Sequence, residues 1–148
     1  MSESSKSGIY VRIAVYKSEP LDYQKFRHVA LWFEFDNGAD SVAIHIVGPN
    51  QDYQLQVREH YNPAGSRLFE KEVQVGWAKA GSTKSQLVDI VSKTPIDNTS
   101  RGFNCQVWVG DALNLLAQEG YIDQEDYLGA VDRMIDATMD AKDEPALT

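Results

Sequence analysis

The stretch His28-Val29-Ala30-Leu31-Trp32-Phe33-Glu34-Phe35-Asp36-Asn37-Gly38-Ala39-Asp40-Ser41-Val42-Ala43-Ile44-His45-Ile46-Val47 decides how this chain folds. Residues 28–36 are dense in aromatic and β-branched side chains, which suit a pleated, buried surface and read as a central strand. Asp36-Asn37-Gly38 then supplies residues that tolerate left-handed backbone conformations, the chemistry of a hairpin turn. Residues 41–47 are the return strand, ended by Gly48-Pro49-Asn50.

Working outward, residues 9–16 alternate Ile9, Val11, Ile13 and Val15 on one face, a half-buried strand followed by a turn at Glu19-Pro20-Leu21-Asp22. Downstream, residues 53–59 alternate again, Asn62-Pro63-Ala64-Gly65 is a turn, and residues 68–78 read as a fifth strand. The period then changes. Residues 83–93 place Leu87, Val88, Ile90 and Val91 at helical spacing, with Ser82 or Thr83 as N-cap and Pro95 as the stop. After a polar loop at 97–102, residues 104–118 form a strong helical pattern closed by Gly120. Asp123 caps a last helix running to about residue 141, with Tyr127, Leu128, Val131, Ile135 and Met139 expected inward. The predicted class is α+β: a mostly antiparallel sheet of about five strands, followed by two to three helices packed on it.

A chain of 148 residues fits one domain, placed at 9–141. The Ser-rich residues 1–8 read as a disordered lead without the apolar core of a secretory signal, and the acidic residues 142–148 as a frayed tail. Twenty-two acidic residues against 14 basic give a net charge of −8, which repels phosphate backbones and anionic headgroups. Nucleic-acid partners are therefore not expected. Stable membrane insertion is not expected either, because no apolar run approaches the roughly 20 residues of a span. One cysteine excludes an internal disulfide and any cysteine-rich zinc site, and it suits a reducing, cytoplasmic setting.

That single cysteine, Cys105, carries most of the chemical information. It follows Asn104, so with Asn104 as N-cap it occupies the first helical turn, where unpaired N–H groups and the helix dipole favour an anion. Such placement is expected to lower the thiol pKa, and the same N–H groups suit an oxyanion. Helical spacing sets Cys105, Trp108, Val109, Ala112 and Leu116 on one stripe, pointing the thiol at the sheet. Two of the three histidines, His28 and His45, lie on the neighbouring strands of the central hairpin. A thiol with a nearby imidazole and a polar group to orient it is the parts list of a nucleophilic enzyme. The bland reading stands beside it: a lone cysteine on an apolar helix face commonly packs as a small hydrophobe, and a strand histidine as a hydrogen-bonded core residue. His60, before a Tyr-Asn-Pro turn, reads as a surface residue.

Taken together, His28-Val29-Ala30-Leu31-Trp32, Val42-Ala43-Ile44-His45 and Asn104-Cys105-Gln106-Val107-Trp108-Val109 resemble the lecithin:retinol acyltransferase-like proteins. These are a circularly permuted branch of the NlpC/P60 papain-like thiol enzymes. The order matters, since ordinary papain-like enzymes run Cys before His and here His comes first. The resemblance covers about residues 26–116 and implies a permuted papain-like arrangement. It also implies Cys105 as nucleophile, His28 as general base and acid, and His45 as the orienting third member. Asn104, Gln106, Trp108 and Trp32 are the candidate substrate-binding residues, and Arg101 stands at the loop before the nucleophile. Gln106 and Val107 depart from the acidic and aromatic-or-His residues that usually follow the family's cysteine.

The expected function is a soluble thiol hydrolase or acyltransferase. It would act on an ester, thioester or amide of a small-molecule, lipid-like or peptide substrate through an acyl-enzyme, with no cofactor. A cyclase would use the same machinery with an intramolecular acceptor. The competing class is a non-catalytic small-molecule or peptide binding module, favoured by the aromatic residues Trp32, Phe33, Trp77 and Trp108; burial of Cys105 beneath Trp108 with no cleft would support it. A cone-shaped isomerase or dehydratase ranks below both, because such folds begin with helices. No metal is expected: His28, His45 and a carboxylate such as Glu34 lack HxH or HExxH spacing.

Overall fold

In the computed structural model, which describes residues 6–18, 27–35 and 41–141, five strands form one antiparallel sheet. They are β1 (Lys6–Tyr16), β2 (His28–Phe35), β3 (Val42–Val47), β4 (Gln54–Arg58) and β5 (Phe69–Lys79), in the order β4-β3-β2-β1-β5. Consecutive strands β1 to β4 are neighbours, and β5 returns to pair with β1. Three helices follow: α1 (Lys84–Ser92), α2 (Cys105–Gln118) and α3 (Gln124–Met139). The protein is therefore α+β, with a five-stranded antiparallel sheet and three helices.

Alternation decides what each face of the sheet does. Ile9, Val11, Ile13 and Val15 of β1, Val29, Leu31 and Phe33 of β2, Val42, Ile44 and Ile46 of β3, and Val73 and Val75 of β5 are all buried in one core. Leu87 and Val91 of α1, Trp108, Val109, Ala112, Leu113 and Leu116 of α2, and Ala130 and Met134 of α3 close that core from the helical side. Helix α2 lies over β2 and β3, α3 over β5 and β1, and α1 packs on α2. The opposite face carries a smaller cluster of Ala14, Tyr16, Ala30 and Trp32, joined by Leu68 and Phe69. Beside it Arg12 pairs with Glu34 at 2.7 Å and with Glu72.

The helix starts are built from side-chain caps. Thr83 and Gln86 form a reciprocal capping box at α1. Asn104 Oδ1 accepts the Val107 N–H at 3.0 Å at α2, and Gly120 (φ 85°) ends that helix in the left-handed conformation that glycine adopts at no steric cost. Asp123 occupies the N-cap position of α3 but makes no side-chain cap hydrogen bond.

Two expectations are corrected. Strand β1 begins at Lys6, which pairs with Lys79, so the sheet reaches into the stretch assigned to a disordered lead. Helix α3 is rotated by about one residue position, roughly 100°, from the expected face. Ala130, Met134, Ala137 and Thr138 point inward, while Leu128 (54% exposed), Ile135 (45%) and Met139 (57%) face out. Small side chains let the helix lie close on β5, where Asp126 sits directly over Gly76; larger residues at those positions would hold it away. The turns expected at Glu19-Pro20-Leu21-Asp22 and Asp36-Asn37-Gly38, and the tail 142–148, lie outside the described residues. No helix among the described residues is long and apolar enough to cross a membrane.

Candidate active site

The site forms where the sheet comes apart. Strands β2 and β3 pair only at Leu31↔Ile44, Trp32↔Ala43 and Phe33↔Val42, whereas β3 stays paired with β4 as far as Val47↔Gln54. Beyond Leu31 the start of β2 therefore loses its β3 partner, and its backbone groups need others. The start of α2 supplies them. Gln106 Nε2 donates to the Arg27 carbonyl at 3.1 Å, and Cys105 Sγ lies 3.8 Å from the same oxygen. The Val29 N–H is directed at the sulfur. Arg27 is itself buried, and its guanidinium donates to the Ala137 carbonyl at 2.8 Å near the C-terminus of α3, where a cation is favoured. The residue just before His28 is thus clamped by α2 and α3 together.

His28, the first residue of β2, joins a chain of polar contacts running across the sheet. His28 Nε2 lies 2.6 Å from His45 Nδ1, and His45 Nε2 lies 2.6 Å from Gln56 Oε1. His45 and Gln56 are direct cross-strand partners, which fixes that second contact. The tautomers follow from the acceptor at the end. Gln56 Oε1 accepts, so His45 Nε2 carries the proton and donates. His45 Nδ1 is then the acceptor for His28 Nε2–H, and His28 Nδ1 remains as the basic nitrogen.

His28 and Cys105 line one cleft of about 470 Å³, together with Gly48, Asn50, Tyr53, Arg101 and Asn104. Two loops wall it, and they are stapled to each other. Asn50 Nδ2 donates to the carbonyls of Arg101 and Phe103, each at 3.2 Å. The Tyr53 backbone N–H donates to Asn98 Oδ1 at 2.8 Å, and Asn98 Nδ2 returns a bond to the Tyr53 carbonyl at 3.1 Å. Gly48 is required at the turn into this wall: its φ is 116°, and a Cβ there would stand 2.7 Å from the Asp52 carbonyl oxygen.

Burial keeps the two imidazoles and the thiol uncharged. Burial, with His45 as a second cause, pushes His28 down to about 4, and burial likewise lowers His45. Burial raises the Cys105 thiol, and the N–H groups of Val29, Cys105 and Gln106 pull it back without winning. The expected lowering of the thiol pKa by the helix start is therefore reversed by desolvation. At neutral pH the cleft thus holds a thiol and an uncharged imidazole.

A stability signature follows. The folded state resists protonation of His28, whose ordinary value is 6.5, so this contribution is intact above pH 6.5 and is lost as pH falls toward 4. Between pH 7 and 4.5 the protein should lose about 2 kcal/mol more than a His28→Gln variant, measured by urea denaturation at each pH.

The other sequence candidates are placed as follows. Asn104 lines the cleft while capping α2. Gln106 instead ties α2 to Arg27 and lies outside the cleft lining, because the frayed edge of β2 claims its amide. Trp108 is completely buried in the core with Nε1 donating to the Thr94 carbonyl at 3.4 Å, and Trp32 is buried in the cluster on the far face, so neither meets the cleft. Glu34 is turned to Arg12, and no group of three or more His, Cys, Asp or Glu among the described residues is arranged to hold a metal ion. His60 is exposed, with φ 55°. Gln56, Asn50 and Tyr53 were not legible as site residues. Only the register of β3 on β4 puts Gln56 under His45, and only the folded loop brings Asn50 and Tyr53 to Cys105.

These features define an α+β protein with a lone cysteine at a helix start and a histidine pair at a split in its sheet. The chain belongs to DUF6540, a family of unknown function, whose family model matches residues 13–123. No curated protein and no solved structure matches it.

Proposed function

We propose that the protein is a thiol hydrolase or acyltransferase that forms an acyl-enzyme on Cys105. The observation that carries this reading is the shared cleft: a sulfur at the first turn of α2 and a histidine whose Nε2 is engaged by His45, so that Nδ1 is left as a base. In this reading His28 Nδ1 takes the thiol proton as Sγ attacks a carbonyl carbon. The N–H group of Cys105 holds the developing oxyanion, and His28 returns the proton to the leaving group. His45 and Gln56 keep the His28 ring in the basic tautomer. Because both partners rest uncharged, proton transfer accompanies attack rather than preceding it.

The permuted papain-like arrangement belongs to this proposal. It is supported by the chain order of histidine strands before the cysteine helix and by that helix abutting the start of β2. A binding module would favour Cys105 sealed beneath Trp108; here Cys105 keeps exposed surface in a cleft. The free thiol fits a reducing, cytoplasmic workplace. An ester, thioester or amide of a small molecule, lipid-like molecule or peptide would be the substrate.

The test is intact mass after incubation with activated esters and thioesters, followed by peptide mapping. One acyl mass is expected on Cys105, absent from Cys105→Ala. No adduct from any donor, or adducts confined to lysines, would overturn the reading.

A further inference from the structure

The charge of the cysteine cleft runs against that of the whole chain. The protein carries 22 acidic residues against 14 basic, yet among the described residues no Asp or Glu lines this cleft and Arg101 does. The guanidinium of Arg101, on an exposed residue, has no carboxylate partner among the described residues. His28 is held uncharged, so it does not supply a competing cation. The start of α2 faces the same space with its positive end, capped by Asn104 rather than by an acid. Arg101 also stands on a fixed base: Asn50 holds its carbonyl at 3.2 Å, and the neighbouring Asn98–Tyr53 pair ties the same loop.

We infer that the substrate carries an oxyanion group, a carboxylate or a phosphate, which Arg101 binds while the acyl carbon is presented to Cys105. This rests on the acyl-enzyme reading and names the substrate class for it. In the acylation step of a thioester the Sγ–C bond forms and the donor's C–S bond breaks. The thiol proton moves to His28 Nδ1 and then to the departing sulfur. Arg101 takes no part in these bond changes; it selects the donor through paired, charge-assisted hydrogen bonds.

The probes are three thioesters of similar length on one leaving thiol: pentanoyl (neutral), glutaryl (carboxylate) and 4-phosphonobutyryl (phosphonate, in place of phosphate). Acylation rates of Cys105 at low ionic strength are read by intact mass for the native protein, Arg101→Gln and a control, Lys93→Gln at the C-cap of α1. At least one anionic donor should react about 10-fold or more faster than the neutral one, and which one does separates carboxylate from phosphate. That ratio should fall to near one in Arg101→Gln and survive in Lys93→Gln. Equal rates for all three donors, or a preference that persists in Arg101→Gln, would overturn the inference while leaving the acyl-enzyme intact. A second arm is independent of the chemistry. Cys105→Ala is titrated by NMR with the half-amide of glutaric acid and with a phosphonate analogue, then again with Arg101→Gln added. If no donor acylates, anion binding that is lost with Arg101→Gln still supports the inference, and absence of binding overturns it.

Discussion

A His28→Gln variant should acylate Cys105 about 10²- to 10⁴-fold more slowly than the native protein at pH 7, while remaining folded. Glutamine suits this position because its amide can still donate to His45 Nδ1, preserving the contact seen at 2.6 Å without offering a base. The effect is large because burial raises the Cys105 thiol, so little thiolate exists at neutral pH to react unaided. A structural histidine would behave otherwise: its replacement would shift stability and leave the acylation rate nearly unchanged. Single-turnover acylation, followed by intact mass beside circular dichroism of the same sample, separates the two outcomes.

The largest stability effect is expected at Trp108, where Trp108→Ala should cost about 3–5 kcal/mol. The ring is wholly enclosed, and its Nε1 donates to the Thr94 carbonyl. Removing it leaves a cavity between α2 and the sheet and takes a donor from a carbonyl at the end of α1. For a domain whose whole stability is of order 5–15 kcal/mol, that approaches the threshold of unfolding. Urea denaturation gives the answer directly. A loss below about 1 kcal/mol would show that Trp108 is not the keystone of this core.

The sheet was readable because period-2 alternation survives wherever one face is buried. Ile9, Val11, Ile13 and Val15 announce β1, and the dense run after His28 announces β2. The caps at Thr83 and Asn104 were readable for a local reason, since cap chemistry spans only three or four residues. Helix α3 misled because apolar bulk at Leu128, Ile135 and Met139 suggested a buried stripe, whereas close packing on β5 selects the small residues Ala130 and Ala137. Within the site, strand alternation put His28 and His45 on one face, but the parting of β2 from β3 beyond Leu31 left no mark on residue types. That parting is what lets α2 approach, turns Gln106 into a structural tie and surrounds the sulfur with backbone. The thiol pKa departs from the sequence expectation for the same reason: the helix start is visible in sequence, and the desolvation that outweighs it is not.

The most direct test of the account is the pH profile of Cys105 acylation between pH 4 and 9. With His28 deprotonating at about 4 and acting as the base for an uncharged thiol, the rate should rise near pH 4 and then hold a plateau up to pH 8 or beyond. A rate that climbs about tenfold per pH unit across that whole range would report a lone thiol ionising without help, and would contradict it.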